Sequence, residues 1–231
     1  MIVVLTSTHI RHKVFAKNIC DRFNVSLIVF EKKDQDPTLS EREKEYFENL
    51  SDWVPRCQTI FCNKGDINNL EIQESISEKD PLIVLVFGTS ILKPEIYGIP
   101  RVGCFNIHTG KTQYFRGVDS SFWAIYDENL KGVGATIHKI DQGIDTGLIY
   151  AQASPKISEN DDHISLFLKS CEVGFNMTVN KAQDIIDGNI IPLDIRAEGK
   201  LYFSRDKTLE KEKEVNRKTK KIIKDFINVK R

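Results

Sequence analysis

An asparagine and a histidine stand two residues apart at the end of an apolar segment, in the stretch VGCFNIHTG (102–110). Residues 102–107 are typical of a strand, and alternate side chains of a strand share a face, so Asn106 and His108 are expected to point the same way. An Asn side chain can hydrogen-bond an oxyanion, and a His can exchange a proton near neutral pH. The carboxyl end of a buried strand is also where open α/β sheets place their ligands. The spacing fits two interpretations equally well: a catalytic pair, or two side chains that satisfy loop backbone.

A second feature is the acidic, glycine-containing loop DQGIDTG (141–147). Glycine permits positive φ and a close approach of backbone to a ligand. The two carboxylates, Asp141 and Asp145, lack the further oxygen ligands of a calcium loop. The loop is therefore either an ordinary hairpin connection, or it presents one carboxylate to Asn106 and His108 and completes a proton-handling triad.

These residues need a scaffold, and strand patterns alternate with helix patterns along the chain. Apolar runs predict strands at 2–5, 26–30, 82–87, 102–107, 133–140 and 148–153. The run 82–87 is apolar throughout, as expected of a strand buried on both sheet faces. Only seven residues join the last two strands, which is too short for a helical crossover and predicts an antiparallel pair. The predicted class is α/β, with a largely parallel sheet and an antiparallel pair near its end.

Helical periodicity appears in four further places. We expect a helix capped by Ser7 or Thr8, a short one over 119–129, a long one that starts at Asn160 or Asp161 and ends near Gly188, and a last one over 209–229. The polar stretch 31–49 is interpreted as a surface excursion around a solvated helix in preference to a lid. Residues 206–231 carry ten Lys/Arg against five Asp/Glu, and a solvated helix face is favoured over nucleic-acid binding.

The composition limits the class of protein. The 231 residues include 33 basic and 33 acidic side chains, 40% apolar residues and five cysteines without a C-x-x-C pair. A soluble cytoplasmic globule with reduced cysteines and no metal site is expected, and a polyanionic partner such as RNA is not. The longest apolar run has six residues, against about 20 for a membrane span, so neither a membrane span nor a signal peptide in the first residues is expected. The stretch HTGKT (108–112) resembles the end of a phosphate loop, but Phe105 stands where that loop needs a glycine.

Four segments, taken in order, resemble the formyltransferase family that uses formyl-tetrahydrofolate. They are VFGTSILKP (86–94), FNIH (105–108), YFRG (114–117) and GATIHKIDQGIDTGLI (134–149), about a third of the chain. The resemblance implies a Rossmann-like formyltransferase domain over 1–190 with helices on both sheet faces. Residues 191–231 are then a short extension that ends in a basic helix.

The resemblance also implies roles for individual residues. It makes Asn106, His108 and Asp145 the catalytic triad, because Asp145 follows His138 at the family's spacing. It places the folate co-substrate against Thr89, Ser90, Ile91, Leu92, Asp141 and Gly143. The acceptor is expected to contact Lys111, Tyr114 and Arg116, since Arg and Lys can bind a diphosphate and an aromatic ring offers a flat face. The neighbouring Phe122 and Trp123 are expected to be core residues.

Departures from the family pattern narrow the acceptor. Relatives that formylate glycinamide ribonucleotide carry a glycine-rich phosphate loop after the first strand, whereas residues 6–13 contain no glycine. Relatives that formylate initiator methionyl-tRNA carry a second domain, whereas only about 40 residues follow the boundary at 190. We therefore expect transfer to the amine of a nucleotide-linked amino sugar, in lipopolysaccharide or other surface-polysaccharide biosynthesis.

The alternatives are a formyl-tetrahydrofolate hydrolase, a formyltransferase on another amine and a non-catalytic folate-binding homologue. No nucleic-acid or membrane partner is expected, and a homodimer is left open.

Overall fold

A seven-stranded sheet forms the centre of the computed structural model, which describes residues 1–47, 50 and 52–229. Its strands are β1 (Ile2–Ser7), β2 (Val25–Glu31), β3 (Gln58–Cys62), β4 (Ile83–Val86), β5 (Gly103–His108), β7 (Ala135–Lys139) and β8 (Ile149–Ala153). They lie in the order β3-β2-β1-β4-β5-β7-β8. The first five run parallel, and β7 and β8 are each antiparallel to the preceding strand in that order.

Helices cover both faces of this sheet. They are α1 (Ile10–Arg22), α2 (Pro37–Tyr46), α3 (Leu70–Ser77), α4 (Pro94–Tyr97), α5 (Ser120–Tyr126), α6 (His163–Ile186) and α7 (Leu209–Val229). On one face Phe15 of α1 and Phe175 of α6 pack on Val4, Ile28 and Phe105. On the other, the buried residues of α3 and α4 (Ile72, Ile76 and Ile96) pack on Val3 and Val84. Because successive residues of β1 and β4 enter opposite cores, these strands are apolar throughout.

The segment after α6 returns to the body of the molecule through a second, two-stranded sheet. In it β9 (Lys200–Tyr202) pairs in parallel with β6 (Phe115–Gly117). The Trp123 and Tyr202 rings are stacked, with centroids 3.8 Å apart. Val215 and Ile223 of α7 join them in a third apolar cluster with Phe122. This packing holds β6 and the start of α5 beside the end of β5.

The predicted α/β class, the mostly parallel sheet, the helices on both faces and the antiparallel pair are confirmed. The predicted final helix matches α7, and Phe122 and Trp123 are buried as expected. The division of the chain at residue 190 stays a prediction.

Several local predictions were wrong. The cap of α1 is His9, because Ser7 still belongs to β1. Helix α6 starts at His163, because Asp162 forms a capping box with Ser165. The helix predicted over 119–129 is only the seven-residue α5, since the residues on either side adopt other conformations, including positive φ at Asp119 and Glu128.

The predicted solvated helix is α2, and residues 48 and 49 of that stretch lie outside the described part. Most of α2 is exposed, but Glu43 is buried in an ion pair with Arg11. Arg42 also pairs with Asp162, at 3.0 Å. These contacts hold the excursion against α1 and the start of α6.

Candidate active site

The carboxyl end of β5 carries Asn106 and His108 on the same face, as the alternation predicted. Cys104, two residues before Asn106, packs in one core, and Phe105 and Ile107 pack in the other. His108 is 6% exposed, whereas Asn106 is only partly buried. The antiparallel register places His138 of β7 directly opposite Asn106. Three polar side chains of the sheet therefore meet at this edge.

Asp145 lies at the centre of this group. Its Oδ2 accepts a hydrogen bond from the Gly117 backbone N–H at 2.8 Å and lies 3.4 Å from His108 Nδ1. Its Oδ1 accepts from Asn106 Nδ2 at 3.3 Å and lies 3.2 Å from His138 Nε2. The structure thus brings the three residues of the expected triad together, with the carboxylate between the two imidazoles.

Charge and burial act in opposite directions on this carboxylate. Burial alone would raise the pKa of Asp145, but the neighbouring His108, the hydrogen bond from His138 and the Gly117 N–H together hold that pKa well below its usual range. Burial lowers the pKa of His108, and the negative charge of Asp145 opposes that effect. Asp145 is therefore a carboxylate at any ordinary pH, and it is the main group that favours a protonated His108.

The backbone of the acidic loop is strained at Asp145. Asp145 has φ of +51°, in the left-handed region that non-glycine residues rarely occupy. Asp141 holds the loop in shape, because its Oδ1 accepts from the Gly143 N–H at 3.0 Å and from Thr146 Oγ1 at 2.6 Å. A backbone outlier held by its surroundings is typical of a functional site.

A model of the formyl transferase family matches residues 6–180 of the chain. The chain belongs to the formyl transferase family.

Two solved structures and one curated protein illustrate the range of relatives. A sugar N-formyltransferase from Shewanella superimposes with a TM-score of 0.65 at 19% identity, over 89% of this chain and 78% of its own. Phosphoribosylglycinamide formyltransferase from Anaplasma phagocytophilum gives 0.64 at 18%, over 88% and 98%. Methionyl-tRNA formyltransferase from Caldicellulosiruptor saccharolyticus is 32% identical over 130 residues, which is 56% of this chain and 40% of that protein. The chain thus spans less than half the length of this curated relative.

In this chain the expected folate segment lies just beyond the end of β4. The backbone N–H of Ser90 donates to Glu31 Oε2 at 2.6 Å, and Glu31 also accepts from the Gly65 N–H at 2.7 Å. Ile91 is 74% exposed, whereas Leu92 is buried in the second core. The segment follows β4 at the carboxyl edge of the parallel strands, and its contacts are with Glu31 at the end of β2 and with Asn68, whose Nδ2 donates to the Ile91 carbonyl at 3.0 Å. The buried Glu31, which the sequence analysis did not single out, fixes this segment.

Three residues were expected to contact the acceptor, and they lie in different surroundings: Arg116 binds backbone carbonyls, whereas Lys111 and Tyr114 lie on a half-buried stretch. Arg116 Nε donates to the Gly199 carbonyl at 2.7 Å and its Nη1 to the Ile144 carbonyl at 3.4 Å. It therefore braces the loop that carries Asp145 against the C-terminal segment. Lys111 and Tyr114 are half-buried on the stretch between β5 and β6, and Tyr114 packs against the third apolar cluster.

His138 is the site residue that the sequence analysis used only as a spacing marker. It is buried, it lies 3.1 Å from Asn106 Nδ2, and its Nδ1 lies 3.1 Å from the Lys139 carbonyl. The alternation on β7 together with an antiparallel register could have pointed to it, but the register is not readable from the sequence.

The best-formed cavities of the described part do not coincide with this cluster. The larger holds about 370 Å³ between α2, α5, α6 and α7, and its wall includes Ser121, His163 and Lys207. Within residues 1–47, 50 and 52–229 no group of His, Cys, Asp and Glu is arranged to hold a metal ion. In the same residues no helix has both the length and the apolar character that crossing a membrane requires.

Proposed function

We propose that this formyltransferase moves the formyl group of formyl-tetrahydrofolate to the amine of a nucleotide-linked amino sugar, in the cytoplasm and as a step of surface-polysaccharide biosynthesis. The observation that carries the reaction is the convergence of Asn106 and His108 on Asp145 at β5, the strand that pairs with β4. An amide donor, an imidazole and a carboxylate are the groups that acyl transfer to an amine requires. Folate would lie along Thr89–Leu92 and the Asp141–Gly143 turn.

The proposed chemistry begins with attack of the acceptor amine on the formyl carbon. The carbonyl electrons move to oxygen, and Asn106 and protonated His108 stabilise the resulting oxyanion. The carbon–nitrogen bond to folate then breaks, the amine loses its proton and the folate nitrogen gains one. Asp145 is a poor proton acceptor because its pKa is held low, so its part is to orient His108 and keep it charged.

The amino-sugar acceptor is supported by the turn after β1. His12 fills this turn, with Nδ1 2.9 Å from Thr6 Oγ1 and 3.1 Å from the Phe87 carbonyl. A Cβ on Gly88 would lie only 2.3 Å from the His12 ring. The glycine-rich phosphate cradle expected of a glycinamide-ribonucleotide enzyme would need open backbone N–H groups at this position.

The test is an acceptor panel with formyl-tetrahydrofolate and the full chain. Its arms are thymidine- and uridine-diphosphate amino sugars, glycinamide ribonucleotide, charged initiator tRNA and no acceptor. We expect tetrahydrofolate release and a formylated product only with an amino-sugar nucleotide, and an Asn106→Ala variant as the inactive control. Formylation of the ribonucleotide or the tRNA alone would overturn the proposed acceptor, and release without an acceptor would indicate a hydrolase.

A second candidate acceptor is charged initiator tRNA. The curated methionyl-tRNA formyltransferase at 32% identity favours it, as does the excess of five positive charges over residues 206–231. Attraction to a polyanion through such a helix weakens steeply with salt. Turnover on tRNA that falls with added salt, while turnover on amino sugars does not occur, would establish this candidate instead.

A further inference from the structure

His108 has a hydrogen-bonding side-chain neighbour besides Asp145 of the acidic loop, and nothing in the triad accounts for it. Ser120, the first residue of α5, is 1% exposed, and its Oγ lies 3.1 Å from His108 Nε2. The Phe115 carbonyl lies 3.2 Å from the same nitrogen. A Cβ on Gly110 would lie 2.5 Å from Ser120 Oγ and 2.8 Å from His108 Nε2, so a glycine is required for the serine and the histidine to meet.

The donors and acceptors around the ring depend on its protonation. The Asp145 carboxylate on Nδ1 and the Phe115 carbonyl on Nε2 can only accept, so both suit an imidazolium with two N–H groups. When the ring is neutral, the carboxylate keeps the proton on Nδ1, and the Nε2 lone pair then faces the Phe115 carbonyl. Ser120 is the one neighbour among these three that can donate to Nε2.

We infer that Ser120 is a positioning residue that holds His108 in both protonation states by rotating its hydroxyl group. It accepts from Nε2–H in the imidazolium and donates to Nε2 in the neutral ring. The inference rests on the role of His108 in the proposed function, where the ring must keep one orientation while protons move. The titratable groups that face the ring are Asp145, on the loop after β7, and His138 of β7 itself.

The next residue supplies a matched control. Ser121 is also buried on α5 and lines the 370 Å³ cavity, but its Oγ has no hydrogen-bond partner among the described residues. Ser120→Ala and Ser121→Ala therefore delete the same atom from adjacent residues. Only the first removes the donor to the neutral imidazole, whereas the imidazolium keeps the Phe115 carbonyl as an acceptor. The neutral form is therefore disfavoured more than the charged form, and the pKa of His108 rises.

The experiment is an NMR titration of histidine-labelled full chain, with the His108 signal assigned through a His108→Gln variant. In Ser120→Ala we expect the pKa of His108 to rise by roughly half a unit to one unit, as one net hydrogen bond implies. The alkaline limb of the kcat profile should move with it at unchanged KM. Ser121→Ala should leave both unchanged. An unchanged or lowered pKa of His108 in a folded Ser120→Ala protein would overturn the inference.

A second measurement needs no variant. The nitrogen shifts of neutral His108 in the wild-type protein should show the proton on Nδ1 and a bare Nε2, and the opposite tautomer would overturn the inference. Both NMR readouts are taken without substrate, so they are independent of the acceptor panel. Conversely, full turnover by a His108→Gln enzyme would refute the catalytic role proposed for His108. That result would not bear on the hydrogen bond from Ser120 to His108 in the wild-type protein.

Discussion

The DQGIDTG loop carries two carboxylates for which we expect different roles. Asp145 should contribute to catalysis, and Asp141 should hold the loop in shape. Asp145→Asn keeps the shape of the side chain but removes its charge and places an N–H group among donors from Gly117 and Asn106. Asp141→Asn keeps an oxygen that can still accept from the Gly143 N–H and from Thr146 at an exposed position. The first change should impair the reaction strongly, and the second should cost much less.

The size of the effect follows from the contacts. Without the Asp145 charge, burial lowers the pKa of His108 unopposed except by the Phe115 carbonyl, so the imidazolium that stabilises the oxyanion is depleted. General acid–base and oxyanion groups are each worth roughly 10²–10⁴-fold in rate. We expect Asp145→Asn to lower kcat by about that factor, or about 2.7–5.4 kcal/mol of barrier. An exposed substitution that keeps its contacts changes free energies by about 0.5 kcal/mol or less, about twofold.

The assay is tetrahydrofolate release at saturating substrates, with thermal unfolding of both variants to show that they are folded.

The free energy of unfolding should also depend on the Asp145 carboxylate. Because the folded pKa of Asp145 is lowered, its ionised form stabilises the protein above the unfolded pKa of an ordinary aspartate, and that stability is lost as the pH falls through the folded pKa. Asp145→Asn should weaken this acid dependence. Equal losses of kcat in the two variants would show that the wrong acid has been chosen or that both contribute.

Two further predictions concern the packing behind the site. Gly117 has φ of +86°, and a Cβ there would lie 2.0 Å from the Tyr202 carbonyl, whereas Gly188 has φ of +70° and open space around it. Gly117→Ala should therefore lower the free energy of unfolding more than Gly188→Ala does. Urea titration of the two variants measures this, and equal losses would contradict the predicted clash. Trp123→Ala should lower the free energy of unfolding by about 3–5 kcal/mol because the ring is fully buried. Phe203→Ala should lower it little because that ring is exposed. Similar shifts of Tm in the two variants would contradict this prediction.

The sequence predicted best where the periodicity was strong. The alternation along 102–108 identified the face shared by Asn106 and His108, and the short link after residue 140 identified the antiparallel pair. It missed β3, an edge strand whose Phe61 is 60% exposed and which lacks a continuous apolar run. It also missed β6 and β9, because three residues carry no periodic signal and their pairing joins segments about 85 residues apart.

The position of His138 shows a different limit. Its spacing to Asp145 is visible in the sequence, but its contact with Asn106 depends on the register between β5 and β7, and a slip of one residue would turn it to the other face. Likewise the Ser120 contact depends on the packing of α5, which β9 and α7 hold from the far end of the chain. Such contacts are set by tertiary structure and have no local signature.

The candidate site lies where the sheet changes from parallel to antiparallel pairing. The two strands that flank β5 therefore lead into different parts of the site. β5 has a parallel neighbour on one side, β4, whose end leads into the expected folate segment Thr89–Leu92. Its antiparallel neighbour β7 ends at Lys139, opposite Phe105, and the loop after β7 brings Asp145 into contact with Asn106 and His108. The proposed reacting groups are thus held by the sheet itself, whereas the expected acceptor residues lie on the stretch between β5 and β6. Substitutions at Lys111 should therefore act on KM for the acceptor, and substitutions at the sheet residues on kcat.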